Sequence, residues 1–542
     1  MALSQPNGSF VQIVAEGDTL PGDAGTVLQV FDGILNNSGD VAFAFRSMNG
    51  QTAYQGLALW NDGTIQIREL SGTSIGPSGE SWQSFSGKPL NLTDDGAILF
   101  TGQLDTGPLN QGVVTGIGLS TPGSNPQTIC YGDQPLPDGN GVFDRNGLLV
   151  SRLNQAGDVG VLHQIDDASL PRTDTPGLFL WSDGTIDLAH EPRNEGAGNE
   201  QRSPSDFVIN DQGVLAFAYF RRVDGDADTP FVMQENGTNT TVLTAGDPTP
   251  GITGATIGSF TNSYGKYRIN NARETAFHTT ISGSGIDSFT NSALWLAPPP
   301  PGPITLVAQE GGPVTGGGAT VSDVQSISGH FALNDSGVVA FGTSQVGVYY
   351  ADGSGIDPIA LSGQNLPRGD GTMRLTGAPT GGSPIPGNAG PGWLALNDSG
   401  QVAFLTDISD SLSGDDAICL YHPDSGLTVP VRTGDTLFGN TVSRLWFQVD
   451  SITGEEGTGF NNAGEIAFRY SIIGGNSGLA LWMPDPAPCT PDVNNDGMLT
   501  PTDFTAWINA FNNNLPECDQ NGDGSCTPTD FTAWIDNFNT GC

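Results

Sequence analysis

Two stretches near the end of the 542-residue sequence, "DVNNDGMLTPTD" (492–503) and "DQNGDGSCTPTD" (519–530), set oxygen-bearing residues at positions 1, 3, 5, 9 and 12 around a Gly at position 6. That spacing is hard-cation chemistry. Calcium takes six to eight oxygens, and Gly at 6 permits the sharp turn that wraps them around one ion. The first loop offers Asp492, Asn494, Asp496, the Met498 carbonyl, Thr500 (directly or through water) and Asp503. The second offers Asp519, Asn521, Asp523, the Ser525 carbonyl, Thr527 and Asp530. Position 12 is Asp rather than the Glu of a helix-loop-helix sensor. Acidic turns without metal would be the plain alternative, but two copies 27 residues apart agree in every ligand slot, so two calcium ions are expected.

Each loop runs into the same helix start, "PTDFTAWI", with Phe504, Trp507, Ile508 and Phe511, then Phe531, Trp534, Ile535 and Phe538, at helical spacing. Paired loop-helix units without a leading helix resemble a dockerin, and the closing "GC" with its flanking cysteines resembles the GC-type dockerins of bacterial anchored proteins. The resemblance covers residues 489–542. It implies calcium-dependent docking to a cohesin-like partner by either of two near-identical helices, with Pro501-Thr502 and Pro528-Thr529 as matched contacts. The same dipeptides equally serve to start the helices, since Pro suits a first helical turn. Four cysteines, Cys489, Cys518, Cys526 and Cys542, allow three pairings. The two-fold packing implied by the resemblance favours Cys489 with Cys542.

The elements upstream are written in one recurring phrase, Asn-x-x-Gly-x-x-Ala-Phe. It runs from Asn36 to Phe43, Thr93 to Phe100, Asn154 to Val161, Asn210 to Phe217, Asn270 to Phe277, Asn334 to Phe341, Asn397 to Phe404 and Asn461 to Phe468. Each phrase is followed by a short apolar strand such as "GLALW", a turn, a third strand such as "TIQIREL", and a weaker fourth strand leading to the next Asn. Eight sets of four short strands predict an all-β, eight-bladed β-propeller over 1–484, then a linker at 485–488 and the small α-helical calcium-binding module at 489–542. Two smaller propellers or an open β array would satisfy the same repeat. The last blade is expected to be closed by both chain ends, two strands from each. The phrase itself reads as a hairpin, Asn capping the turn and Gly supplying a positive φ. Arg273 in the Gly position is expected to force a different turn. Thr93, Arg273 and Gly160-Val161 break the pattern, which argues against chemistry shared by all eight sites. The repeats, over residues 10 to 484, resemble bacterial surface proteins built from tandem NxxGxxAF units with interchangeable C-terminal anchors; that resemblance implies export and anchoring.

With 58 acids against 18 bases the formal charge is -40, which disfavours nucleic acid and anionic membrane as partners. No apolar run is long enough to span a membrane. Cysteine clustering at the C-terminus reads as an exported, secreted or cell-surface bacterial chain whose signal peptide is absent from this sequence. Cys130 and Cys419 fall in distant repeats and read as core residues. Basic and aromatic residues gather around the third to fifth anchors: Arg145, Arg152, Tyr219, Arg221, Arg222, Tyr264, Lys266, Tyr267, Arg268 and His278. From these and His163, the candidate catalytic set is His278, Tyr264, Tyr267, Arg268, Arg152 and His163. The expected function is a binding or scaffold protein, its propeller taking a ligand such as a glycan or a protein, and its C-terminal module docking. The enzyme alternative is a propeller-fold polysaccharide lyase or glycoside hydrolase acting on anionic glycans.

Overall fold

The computed structural model describes residues 8–540 except 75, 77, 78, 87–89, 108–111, 168–174, 191–192, 197–198, 202–203, 225, 259, 261–266, 316–319, 322–330, 344–346, 370, 376–393, 409–415, 450–456, 486–490, 495–497 and 522–523. The chain divides into two compact units, Phe10–Met483 and Pro484–Cys542.

In the first unit the anchor phrase makes each blade. At the first anchor, Asn36 N–H donates to the Asp40 carbonyl (3.1 Å), Gly39 N–H donates to the Asn36 carbonyl (3.2 Å), and Asp40 N–H donates to Asn36 Oδ1 (2.7 Å). The side-chain oxygen thus caps the turn, while Gly39 takes φ +82°, a conformation that costs L side chains energy. Because this turn is a tight hairpin, it pairs the strands on either side of it. In blade 1, Thr26–Leu35 pairs with Val41–Asn49, followed by Thr52–Asn61 and Thr64–Leu70. Seven further sheets repeat that plan as an eight-bladed β-propeller. Ala42 and Phe43 are both fully buried, and apolar clusters fill the space between neighbouring blades, as where Val14, Val41 and Trp60 meet Leu479 and Leu481.

Two expectations are corrected. The weak strand before each Asn belongs to the blade that follows it, so the sheet shared by the chain ends holds one strand from the start, Gly8–Ala15, beside four from the end, the two-residue Thr436–Leu437 and then Asn440–Phe447, Ile466–Ile472 and Ser477–Pro484. The expected two-plus-two division cut through a hairpin. Second, Arg273 does not change the turn. It adopts φ 64° itself, and its N–H still donates to the Asn270 carbonyl at 3.0 Å. The bonds of Asn270 on either side outweigh the local strain. Left-handed backbone costs a non-glycine residue about 1–2 kcal/mol, and the exposed Arg273–Glu235 ion pair (2.9 Å) returns at most about 1. Arg273→Gly should therefore stabilise the propeller by roughly 0.5–1 kcal/mol in urea unfolding; a loss of stability would show that the turn is not strained.

A ninth sheet was not legible in the repeat. It joins Arg193–Gly196 and Asn199–Gln201, ahead of blade 4, to Arg221–Val223 and Asp226–Asp228, inside it.

The second unit contains α1 (Pro501–Asn513) and α2 (Pro528–Thr540). Thr500 is the N-cap of α1, its hydroxyl accepting from Thr502 N–H while Asp503 completes a capping box, with Pro in the first turn. Phe504, Trp507, Phe531 and Trp534 stack between the helices, with ring centroids 5.1 to 5.5 Å apart, and the two Trp side chains are buried.

Candidate functional site

The two loops of the C-terminal unit share one geometry. Asp503 and Asp530, the position-12 residues, are completely buried and turn back into their own loops. Asp530 accepts from the backbone N–H of Gln520 (2.9 Å), Asn521 (3.2 Å) and Thr527 (2.7 Å). Asp503 accepts from Asn494 (3.4 Å) and Thr500 (2.8 Å) N–H. Burial pushes the Asp530 carboxyl up, but the Thr527, Asn521 and Gln520 N–H groups outweigh it and hold it below the ordinary value, as a carboxylate. A buried, preorganised carboxylate with few cations nearby fits a hard divalent ion. Asp492, Asn494, Met498, Thr500, Asp519, Asn521, Ser525 and Thr527 belong to the same two loops. Asp496 and Asp523 lie outside the described residues, and no group of three His, Cys, Asp or Glu converges among the described ones.

Each loop is braced by the other repeat's helix. Trp507 Nε1 on α1 donates to the Cys518 carbonyl (3.1 Å), immediately before the second loop; Trp534 Nε1 on α2 donates to the Pro491 carbonyl (3.2 Å), immediately before the first. Cys518 and Cys526 are disulfide-bonded, with Cα atoms 5.6 Å apart. Cys489 and Cys542, the pair favoured from sequence, lie outside the described residues. Ile508 and Ile535, one on each helix at matched positions, are 40% and 39% exposed.

In the propeller the anchors do more than turn. Each anchor Asn is buried, and its Nδ2 reaches the next blade: Asn36 to the Thr93 carbonyl (2.9 Å), Asn154 to Asn210 (2.9 Å), Asn210 to Asn270 (3.1 Å), Asn270 to Asn334, Asn334 to Asn397, Asn397 to Asn461, and Asn461 to Asn36 (each 3.0 Å). Thr93 has no amide and makes no such link. A second ring lies beside it. The residue after each anchor donates its N–H to the side-chain oxygen of its counterpart in the next blade, from Asn37 to Asp94 (2.8 Å) and Asp94 to Gln155 (2.7 Å) round to Asn462 and Asn37 (3.0 Å). Side chains of this ring, from all eight blades, line a cavity of about 480 Å³. The signal was present in the sequence, since every one of these positions is Asn, Asp or Gln. Sequence reasoning missed it because a turn alone accounted for the phrase.

The basic and aromatic candidates are mostly buried or committed to partners. Arg152 is buried in an ion pair with Asp206 (2.8 Å), and Arg221 grips Asp228 with two bonds (3.0 and 2.6 Å). Tyr267 is 1% exposed and donates to the Phe260 carbonyl (3.0 Å); Arg268 lies over the Phe331 ring and donates to the Tyr267 carbonyl (2.8 Å). His163 is buried against the Gln164 carbonyl, its basicity lowered by burial, and His278 is buried against Ser292. Tyr264 and Lys266 lie outside the described residues. Burial pushes the Cys130 and Cys419 thiols up to about 12. Neither should react with a thiol reagent at pH 8 until the propeller unfolds; prompt modification of the native chain would contradict their burial.

Residues 1–347 and 342–490 match the model described as Family of unknown function (DUF7453), and residues 490–539 match the Dockerin type I domain. No curated protein matches. Among solved structures the chain is similar to a Mycobacterium tuberculosis puromycin-hydrolyzing peptidase, at 11% identity and TM-score 0.32 over 86% of this chain and 61% of that one. It is also similar to the alpha-L-arabinanase of Penicillium chrysogenum (10%, TM-score 0.23, 79% and 97%) and to polysaccharide lyase Uly1 (12%, TM-score 0.24, 50% and 58%). The chain thus spans 61% of the length of the peptidase. With its propeller matched throughout, the chain belongs to the Family of unknown function (DUF7453) and carries a type I dockerin domain at its C-terminal end.

Proposed function

We propose that this is an exported, complex-anchored binding or scaffold protein, whose dockerin holds two calcium ions and docks a cohesin-like partner while the propeller presents a ligand- or protein-binding surface. The observation that carries the reading is the matched pair of loop-helix units, each with a buried position-12 Asp and each braced by the other's Trp. The matched exposed Ile508 and Ile535 suit docking through either helix. The NxxGxxAF resemblance and the closing "GC" support a secreted or cell-surface setting, and no helix among the described residues is long and apolar enough to cross a membrane. The bond from Asn461 to Asn36 and the strand pairing of the two chain ends support a closed ring.

The lyase or glycosidase alternative is the weaker reading. Its Arg152 and Arg221 guanidiniums are committed to Asp206 and Asp228, and His163, His278 and Tyr267 are buried. Capture of the full chain on immobilised cohesin domains in calcium, reversed by EGTA, tests the docking reading. Failure to bind any member of a cohesin panel, with the dockerin shown to be folded, would sink it.

A further inference from the structure

The two ends of the blades differ in what they expose. At the anchor end lie the polar ring and polar turns such as Asn61-Asp62-Gly63 and Ser182-Asp183-Gly184. Among the described residues of the propeller, the exposed large apolar side chains are Leu28, Met48, Val113, Phe289, Phe438 and Ile473. All of them lie at the opposite end. Met48, Val113, Phe289 and Ile473 sit at or in the turns between second and third strands, and Leu28 and Phe438 at the entry to first strands. Single exposed apolar residues are ordinary, but a one-sided set is not.

Within that set Phe438 is strained. It takes φ 51°, which bulky side chains rarely adopt; the other non-glycine residues at positive φ among those described are Asp, Asn and Arg273. The cause is a short hairpin. Only Leu437 to Asn440 separate the bridged Thr436 and Thr441, whereas blade 1 sets Leu20 to Gly25 between Thr19 and Thr26, with Pro21 in the matching place. So tight a turn suits Asn-Gly, and here it holds Phe438-Gly439. The Phe438 ring leans on buried Tyr470 (centroids 5.8 Å apart) yet stays 38% exposed. Ile473, 72% exposed, is tied to the same hairpin, its N–H donating to the Thr441 carbonyl (2.9 Å). A strained aromatic beside a bare Ile serves contact better than it serves folding.

Charge narrows what can cover this pair. Glu16 accepts from the N–H of Ser477, just past the Ile473 turn (3.2 Å), and burial followed by the Asp18 charge pushes the Tyr470 hydroxyl up to about 12. Nearby cations are turned elsewhere: Arg368 pairs with Asp435 (2.8 Å), Arg432 donates to the Thr433 carbonyl (3.2 Å), and Arg444, opposite Ser471, lies on the other face of the sheet from Tyr470. A second copy would bring the same carboxylates and another formal charge of -40 to the contact.

We propose that the Phe438 and Ile473 end of blade 8 is a docking surface for a protein segment that presents apolar side chains between Lys or Arg. The proposal rests on the binding or scaffold reading and gives the propeller its share of it.

The test is fluorescence anisotropy of the full chain with three labelled peptides, of alternating Leu-Lys, Leu-Glu and Ser-Lys. The Leu-Lys peptide should saturate at a Kd of about 10 μM, weaken as salt rises, and bind about tenfold tighter than the other two. Ile473→Ser and Phe438→Asn should each weaken it about tenfold, and Phe438→Asn should keep or raise the urea midpoint because Asn-Gly is the pair this turn prefers. Equal binding of Ser-Lys would reduce the surface to bulk charge, and unchanged binding in both variants would remove the site. A midpoint lowered by Phe438→Asn with binding intact would make the ring a packing residue, and a dimer in light scattering that Ile473→Ser disperses would give the surface to a second copy. Each of these overturns the proposal. Peptide binding should persist in EGTA, where docking through the C-terminal unit is lost, so failure of either reading shows separately.

Discussion

EGTA should unfold residues 489–542 while the propeller stays folded, read as loss of helical circular dichroism and of the lower of two thermal transitions. A unit this small buries too little apolar surface to be robust alone. Each bound ion adds roughly 4 kcal/mol when free calcium is about 1,000 times Kd, so chelation removes a contribution comparable to the stability of a whole small domain. The loss should be cooperative. Because Trp507 braces the second loop and Trp534 the first, emptying one loop loosens the support of the other. Asp503→Ala and Asp530→Ala should therefore each weaken both sites. The two loops are not equal, however. Cys518 and Cys526 staple the second, whereas the matching positions of the first are Pro491 and Leu499. Closing so short a loop is worth about 2.5 kcal/mol, so the second site should fill first and reduction should narrow the difference. An identical melt with and without calcium would remove the metal from the account.

The dockerin family was legible because its pattern is local, with loop spacing and helix start inside one short window. The blades were legible as repeats, but their phase was not. Spacing alone does not say which side of a strand a unit begins on, and only the hairpin at Asn36 decides it. Arg273 shows the limit of local rules: the residue type argued for a new turn, and the bonds of Asn270 to both neighbouring blades kept the old one. The basic cluster shows another limit. Arg152 and Asp206 are 54 residues apart in sequence yet 2.8 Å apart in space, so a cation that reads as available is spent on a partner the sequence does not reveal. Thr93 was visible as a departure from the repeat, but its consequence, a missing amide link, appears only where blade 2 meets blade 3.

Asn461→Ala should destabilise the propeller by about 3 kcal/mol, far more than a surface turn residue would. Its amide donates to the Asn36 carbonyl (3.0 Å) and to Glu465 (2.7 Å), and its oxygen accepts from Glu465 N–H (3.0 Å). Alanine strands these groups where water cannot replace the lost partner. A buried hydrogen bond nets about 1 kcal/mol, and leaving a buried partner unsatisfied costs about 1–3 more. If the phrase were only a turn, loss would resemble that of a simple cap, about 1 kcal/mol. The amide is what distinguishes the two. Asn334→Ala, in mid-ring, should cost as much as Asn461→Ala, whereas Thr93→Ala should cost only about 1 kcal/mol because Thr93 already lacks the inter-blade link. Thr93→Asn should restore that link to blade 3 and raise the urea midpoint. Equal, small losses at Asn334, Asn461 and Thr93 would return the phrase to a hairpin signal; the expected gradation makes it the lacing that holds eight separately weak sheets in one ring.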